Sequence, residues 1–210
     1  MRRCALPVLV LVLAVACGGD DLTDAEERAF AAAPTAEQLP AGWALDEAGP
    51  TGPGDAPDVA EGCEQLRSLD VSDGEGFVTV LFDAPDIELP LFDVSLDLIV
   101  VEEPADALAY VSAVADPDTP TCLVGLDDEL VGVAVIDVDP PTAQGVASAR
   151  LRFDFPENPD EEEAPATLEL VALADGDLLA VVELAYATQV PPPALDELLA
   201  VIAERVAAAP

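Results

Sequence analysis

Between residues 147 and 155 apolar and polar side chains alternate without a break: Ala147, Ala149, Leu151, Phe153 and Phe155 against Ser148, Arg150, Arg152 and Asp154. That period of two predicts a strand with one face in a core. The same reading applies to Phe92, Val94, Leu96, Leu98 and Val100 against Asp93, Ser95 and Asp97, a strand whose wet face closes toward Val101. Phe77 to Phe82 is apolar on both faces and rich in β-branched residues, as a central strand requires, and Asp83 to Asp86 turns it. Leu130 to Val138 reads as another buried strand, closed by Pro140 and Pro141. Thr167 to Leu173 and Leu178 to Ala185 form a hairpin around Ala174-Asp175-Gly176-Asp177, where Asp-Gly supplies positive φ angles.

Three helices complete the pattern. Thr23-Asp24-Ala25-Glu26 is a capping box, with helix formers to Ala33 and a stop at Pro34. Glu102-Glu103-Pro104 starts a second helix, acids at its positive end and Pro in its first turn, with Leu108, Val111 and Ala115 as the inner stripe and Pro117 and Pro120 ending it. After Pro191 to Pro193, Leu195, Leu198, Leu199, Ile202 and Val206 fall on one face of a third helix, a stripe that must cover a sheet. Glu64-Gln65-Leu66 reads as a short helical turn beside Cys63, and the stretches 49–62 and 156–165 as exposed loops. Trp43, the only Trp, ends a turn from Thr35 and serves as a core anchor. Six strands, mostly in hairpin order, with helices near both ends and one in the middle, predict an α+β domain with an antiparallel sheet. No repeat of solenoid length is present.

The first residues set a different problem. Arg2 and Arg3, an apolar run from Ala5 to Val15, and Leu13-Ala14-Val15-Ala16-Cys17-Gly18 have the layout of a lipoprotein signal, with cleavage before Cys17 and a lipid on that cysteine. The run is about half of the ~20 residues a membrane-spanning helix needs, which argues against a short anchor helix. The organisation expected is therefore a signal peptide over 1–16, a lipidated tether over 17–22 and one α+β domain over 23–210, on the extracytoplasmic face of the cell membrane.

Charge changes the picture of partners. The 210 residues carry 43 acidic and 7 basic side chains, a formal net charge of −36, with no Lys and no His. Nucleic acid is excluded as a partner, and anionic lipid headgroups are repelled, because both need clustered cations. The acid excess suits either a high-salt setting that screens self-repulsion or simple solubility. Of four cysteines, Cys4 leaves with the signal and Cys17 takes the lipid, so Cys63 and Cys122 are expected to form one disulfide in an oxidising compartment.

Taken together, the lipid-attachment motif, Ala36-Glu37-Gln38-Leu39-Pro40-Ala41-Gly42-Trp43, the two cysteines, and the order of strands and helices resemble the actinobacterial sensor-domain lipoproteins, which look like the extracellular domain of actinobacterial serine/threonine receptor kinases. The resemblance covers nearly all of residues 35–208. It implies a twisted antiparallel sheet with helices packed on it, a cleft for a ligand, a binding or sensing role, and no catalysis.

The chemistry available agrees with that implication. Without His, Lys or a free thiol, His-based triads are impossible, and the phosphate-binding Gly-Lys-Ser/Thr and dinucleotide-binding Gly-x-Gly-x-x-Gly patterns are absent. Carboxylate pairs such as Asp137 with Asp139 could serve glycoside hydrolysis, but 43 acids make pairs a matter of chance, and only 9 aromatic residues are available as sugar platforms. No catalytic residue, cofactor or dedicated metal site is assigned. The candidate cation ligands, weak ones, are Asp160, Glu161, Glu162 and Glu163 in one loop and Asp127, Asp128 and Glu129 in another; neither has EF-hand spacing, nor does the stretch from Asp70 to Gly74. Arg150 and Arg152 share one strand face opposite Glu169, which predicts cross-strand ion pairs, the alternative being an anion clamp in a cleft. The function expected is a non-catalytic sensor, ligand-binding or interaction domain for a small molecule or an envelope protein. The alternative is a carrier of lipid or another apolar molecule, which would enclose a large cavity lined by Phe77, Leu96, Leu151 and Ile202.

Overall fold

The computed structural model describes residues 22–52, 63–83, 92–125, 133–136, 138–155, 166–186 and 191–210. In chain order the elements are helix α1 (Asp24–Ala32), strand β1 (Ala44–Pro50), a 3-10 helix (Glu64–Leu69), strands β2 (Gly76–Asp83) and β3 (Phe92–Val100), helices α2 (Pro104–Val114) and α3 (Thr119–Gly125), strands β4 (Ala134–Ile136), β5 (Ala147–Phe155), β6 (Ala166–Asp175) and β7 (Leu178–Tyr186), and helix α4 (Leu195–Ala207). All seven strands form one antiparallel sheet in the order β1-β2-β3-β7-β6-β5-β4. The α+β class and antiparallel sheet match the expectation from periodicity, with one strand more.

That extra strand is β1. Its burial alternates only weakly, because it is an edge strand with most side chains exposed, and its place is set by pairing to β2 through an irregularity between Leu45 and Glu47. At the opposite edge, β4 corrects the reading of Leu130 to Val138 as a buried strand: among the described residues of that stretch Ala134–Ile136 pairs with β5, and Val135 is 48% exposed. An apolar run here marks a short edge, not a core strand.

Each face of the sheet has its own core. On one, Val80, Leu96, Leu98, Val171, Leu173 and Val182 pack under α1 and α4, whose buried stripe is the one predicted, Leu195, Leu198, Leu199, Ile202 and Val206. On the other, Phe77, Ile99, Leu151, Phe153, Leu179 and Val181 pack with α2. The inner stripe of α2 is Ala107, Tyr110, Val111 and Val114; Leu108 is 50% exposed and Ala115 is exposed as well. Val111 is buried as expected, whereas Leu108 and Ala115 are each one position out of phase, since apolar residues stand on nearly every side of this helix and hydrophobicity does not define a face. Pro120 does not end α2 but lies in the first turn of α3, where a missing N–H costs no hydrogen bond.

Local rules account for the joints. The capping box is formed: Glu26 N–H donates to Thr23 Oγ1 at 3.1 Å and Thr23 N–H to Glu26 Oε2 at 2.7 Å. α1 lies so close to β2 that a Cβ on Gly76 would stand 2.7 Å from the Ala25 backbone. In the β6–β7 hairpin the turn residues are Gly176 and Asp177, with the positive φ (+62°) at Gly176. Arg28 of α1 forks onto the Asp177 carboxylate and also donates to the Pro210 carbonyl at 2.8 Å. The Arg28 hydrogen bond holds Asp177 below the usual carboxylate range, so this strut is in place at neutral pH and is lost in acid as pH falls through the lowered value. Trp43 is buried, as expected of an anchor, and its Nε1–H donates to the Pro193 carbonyl at 3.0 Å. It thereby fixes the turn that enters α4, whose N-cap, Ala194, is held at φ +57°.

Cys63 and Cys122 form a disulfide across 59 positions, joining the 3-10 helix to α3. Closing a loop of that length lowers the entropy of the unfolded chain by about 4 kcal/mol in free-energy terms. Urea denaturation of the Cys63→Ser/Cys122→Ser chain is expected to show a loss of about that size. Ala194→Gly is expected to act the other way: removing the Cβ penalty at positive φ stabilises by roughly 0.5–1 kcal/mol, a rise of a few degrees in Tm by calorimetry. A lower Tm would mean that the turn is not strained at Ala194.

Candidate functional site

Two polar places interrupt the sheet cores. The first lies on the face carrying α4. Arg150 and Arg152 of β5 project onto this face, Arg152 directly opposite Glu169 of β6. Glu169 is 0% exposed, and its carboxylate takes the Arg150 guanidinium at 2.6 Å and the Tyr186 hydroxyl at 2.6 Å. Arg150 also reaches Asp196 in the first turn of α4 at 3.0 Å. Arg152 pairs with Asp154 at 2.9 Å and stands 4.0 Å from Glu169. Burial and the bond to Glu169 push the Tyr186 phenol well above its ordinary range, so it remains a donor at neutral pH. The cross-strand ion pair read from the sequence is thus present. The shallow recess bordered by Arg150 and Arg152 also contains Asp139 and Asp196, so both guanidinium groups already face carboxylates, and the anion-clamp alternative loses its free charge.

The second place is a half-open cleft of about 480 Å³ on the α2 face. It exists because α2 packs mainly over β5 and β6, leaving part of β2, β3 and β7 uncovered. Phe77, Ile99 and Val181 contribute apolar surface from the sheet, Leu69 from the end of the 3-10 helix and Val71 from just after it. Its polar groups come from Thr51, Thr79, Asp97, Tyr110 and Glu183. Thr79 and Asp97 are directly opposed across β2 and β3, and the Thr79 hydroxyl donates to Asp97 Oδ1 at 2.6 Å. That O–H being used, the 3.1 Å contact between the hydroxyls of Thr51 and Thr79 has Thr51 as donor. Asp97 is paired with Val181 on β7, so Glu183 is its diagonal neighbour on the same face. Tyr110 is 7% exposed; burial, with Glu183 and Asp97 nearby, holds its phenol protonated far above the ordinary range.

The remaining sequence candidates are distributed as follows. Cys63 and Cys122 are joined as expected. Cys17, Asp127, Asp128, Glu129, Asp137, Asp160, Glu161, Glu162 and Glu163 lie outside the described residues. Among the described residues no group of three or more His, Cys, Asp or Glu side chains converges as a metal site would need. Phe77 and Leu151 lie in the core under α2, whereas Leu96 and Ile202 lie in the core under α1 and α4, so these four cannot line one cavity. Tyr110, Asp97 and Glu183 were not read as a site in the sequence. The available signal was Glu183, a single acid inside the otherwise apolar run of β7.

No protein-family model matches the chain, and no curated protein is detectably similar in sequence. The fold is similar to that of the crystal structure of the extracellular domain of PknH from Mycobacterium tuberculosis, with a TM-score of 0.52 and 10% identity over 87% of this chain and 96% of that one. An uncharacterized Rv0999 ortholog from Mycobacterium smegmatis aligns with a TM-score of 0.44 and 14% identity over 82% of this chain and 92% of that one. The architecture expected from the resemblance to kinase extracellular domains is therefore the one observed.

The buried charge network makes a measurable claim. Glu169→Gln leaves the Arg150 guanidinium with only the exposed carboxylate of Asp196 and is expected to cost about 3 kcal/mol in chemical denaturation. Replacing the set with apolar groups of similar size, Arg150→Met with Glu169→Leu and Tyr186→Phe, is expected to recover most of that loss. A Glu169→Gln chain as stable as the parent would show that the network carries no net energy.

Proposed function

We propose that this chain is a membrane-anchored extracytoplasmic lipoprotein, held by a lipid on Cys17, whose domain is a non-catalytic sensor or ligand-binding module. The observation that carries the reading is the half-open cleft of about 480 Å³ on a fold shared with the extracellular domain of PknH. A cleft of this size accommodates a small molecule. The signal layout ending at Cys17, and a cysteine pair placed to oxidise, support a location outside the cytoplasm. The absence of His, Lys and a free thiol from the domain leaves no imidazole, amine or thiolate to attack or to move protons near neutral pH, which supports binding without turnover. The cores on both sheet faces are filled by their own side chains, which favours a sensor over a carrier enclosing an apolar molecule. Its binding partner is a small molecule or an envelope protein.

The test uses the full chain in its native cell. The parent is expected in the membrane fraction with a lipid on its N-terminal cysteine, and Cys17→Ser is expected to leave that fraction without the lipid. Native mass spectrometry of the extracted protein is expected to show no further stoichiometric lipid. Lipid retained noncovalently in most molecules would establish the carrier instead, and an unmodified Cys17 would overturn the anchor.

A further inference from the structure

Resting on the ligand-binding reading above, we propose that the cleft on the α2 face takes an uncharged hydroxyl compound with a compact hydrocarbon body, its oxygen accepting from Tyr110 and its O–H donating to Asp97. Two side chains with hydrogen-bonding capacity to spare, and the apolar walls beside them, carry this assignment.

The first is Tyr110. Its ring is more than nine-tenths buried in the core under α2, and among the described residues its phenol makes no hydrogen bond. Every fully buried side-chain nitrogen or oxygen among those residues has a partner, so the Tyr110 oxygen is not sealed inside the protein and opens into the cleft that it lines. Burial keeps the phenol protonated at neutral pH, which makes it a donor. A solute that fills the cleft cuts this O–H off from solvent. It must therefore bring a lone pair or leave a buried donor unpaired.

The second is Asp97, which is held in place by a short relay. The Thr51 N–H donates to the Phe77 carbonyl at 2.9 Å, the Thr51 hydroxyl donates to that of Thr79, and Thr79 donates to Asp97 Oδ1 at 2.6 Å. The relay orients the carboxylate and engages one of its oxygens, so Oδ2 is the acceptor for a ligand. Glu183 also lines the cleft, but it has a partner of its own in the protein and is given no part in the binding.

Of the simple polar groups, a hydroxyl answers both side chains, because it has lone pairs for the Tyr110 proton and a proton for Asp97. An ammonium carries protons only and leaves the phenol unpaired. A carboxylate or phosphate accepts from the phenol but brings a second negative charge to Asp97, and no basic side chain lines the cleft. Phe77, Ile99 and Val181 form an apolar floor, which suits a hydrocarbon body better than one hydroxylated on every carbon.

Four ring compounds of similar size separate the possibilities: cyclohexanol, methoxycyclohexane, cyclohexylammonium and cyclohexanecarboxylate, each titrated into the isotopically labelled full chain at physiological ionic strength and followed by amide NMR shifts. Cyclohexanol is expected to give saturable shifts at Thr79, Asp97, Tyr110 and Val181. Methoxycyclohexane, which accepts but cannot donate, and cyclohexylammonium, which donates but cannot accept, are each expected to bind about fivefold more weakly, and the carboxylate not at all. Tyr110→Phe, which keeps the buried ring, is expected to weaken cyclohexanol about fivefold and to leave cyclohexylammonium unchanged. Asp97→Asn is expected to weaken cyclohexanol severalfold and to leave methoxycyclohexane unchanged. Either charged compound binding as tightly as cyclohexanol, or cyclohexanol binding that survives both substitutions intact, would overturn the hydroxyl assignment while leaving a ligand-binding cleft in place. Failure of all four compounds to give saturable shifts at these positions would overturn the site, and with it the ligand-binding reading.

Discussion

The pairing of β3 with β7 holds the architecture together. Nine consecutive positions, from Phe92 opposite Tyr186 to Val100 opposite Leu178, join a first meander, β1-β2-β3, to a second that runs from the far edge inward, β4-β5-β6-β7. The chain leaves the centre of the sheet after β3, crosses one face through α2 and α3, and re-enters at the opposite edge. Only this long-range register gives α1, which sits on β2 and β3, and α4, which sits on β6, a common platform. Contacts so distant in sequence are slow to form, and the disulfide between the segment before β2 and the one after α2 shortens the search.

A protein this acidic uses its few cations where they brace separate elements. Arg28 ties α1 to the β6–β7 turn and to the C-terminus, and Arg150 ties β5 to β6 and to the first turn of α4. Arg205 of α4 donates to the carbonyls of Ala31 and Ala33 at the end of α1, where the helix dipole favours positive charge. Each such contact crosses between elements that apolar packing alone could let slide. The abundant carboxylates stay mostly at the surface, with Glu169 the exception that is paired twice over.

The cleft follows from the same construction. A single helix of 11 residues cannot cover one face of a seven-stranded sheet, and α2 is drawn toward β5 and β6 by its buried stripe. What it leaves bare on β2, β3 and β7 is polar at Thr79, Asp97 and Glu183, so the sheet tolerates water there. The buried phenol of Tyr110 belongs to both worlds, with its ring in the core and its oxygen at the cleft.

Sequence alone determined whatever depends on a segment's own neighbours. The alternation in β3 and β5, the buried stripe of α4, the capping box at Thr23 and Glu26, and the Gly at the β6–β7 turn are local consequences of side-chain period and backbone sterics. The Cys63–Cys122 disulfide and the approach of Arg150 and Arg152 to Glu169 were also legible, the first by elimination among four cysteines and the second because adjacent hairpin strands fix which faces meet. Tertiary structure decided the rest. β1 carries no clear period and exists as a strand because β2 offers it hydrogen bonds; β4, though apolar, ends up as an exposed edge because no strand among the described residues pairs beyond it. Leu108 turned outward and Ala107 inward because small residues let α2 lie close to β5 and β6. Asp97 and Tyr110 come from consecutive elements, β3 and α2, and Glu183 from β7, far along the chain. Periodicity reports which face of a segment is buried and not which distant segment buries it, so their convergence could be seen only once the β3–β7 register had brought them together.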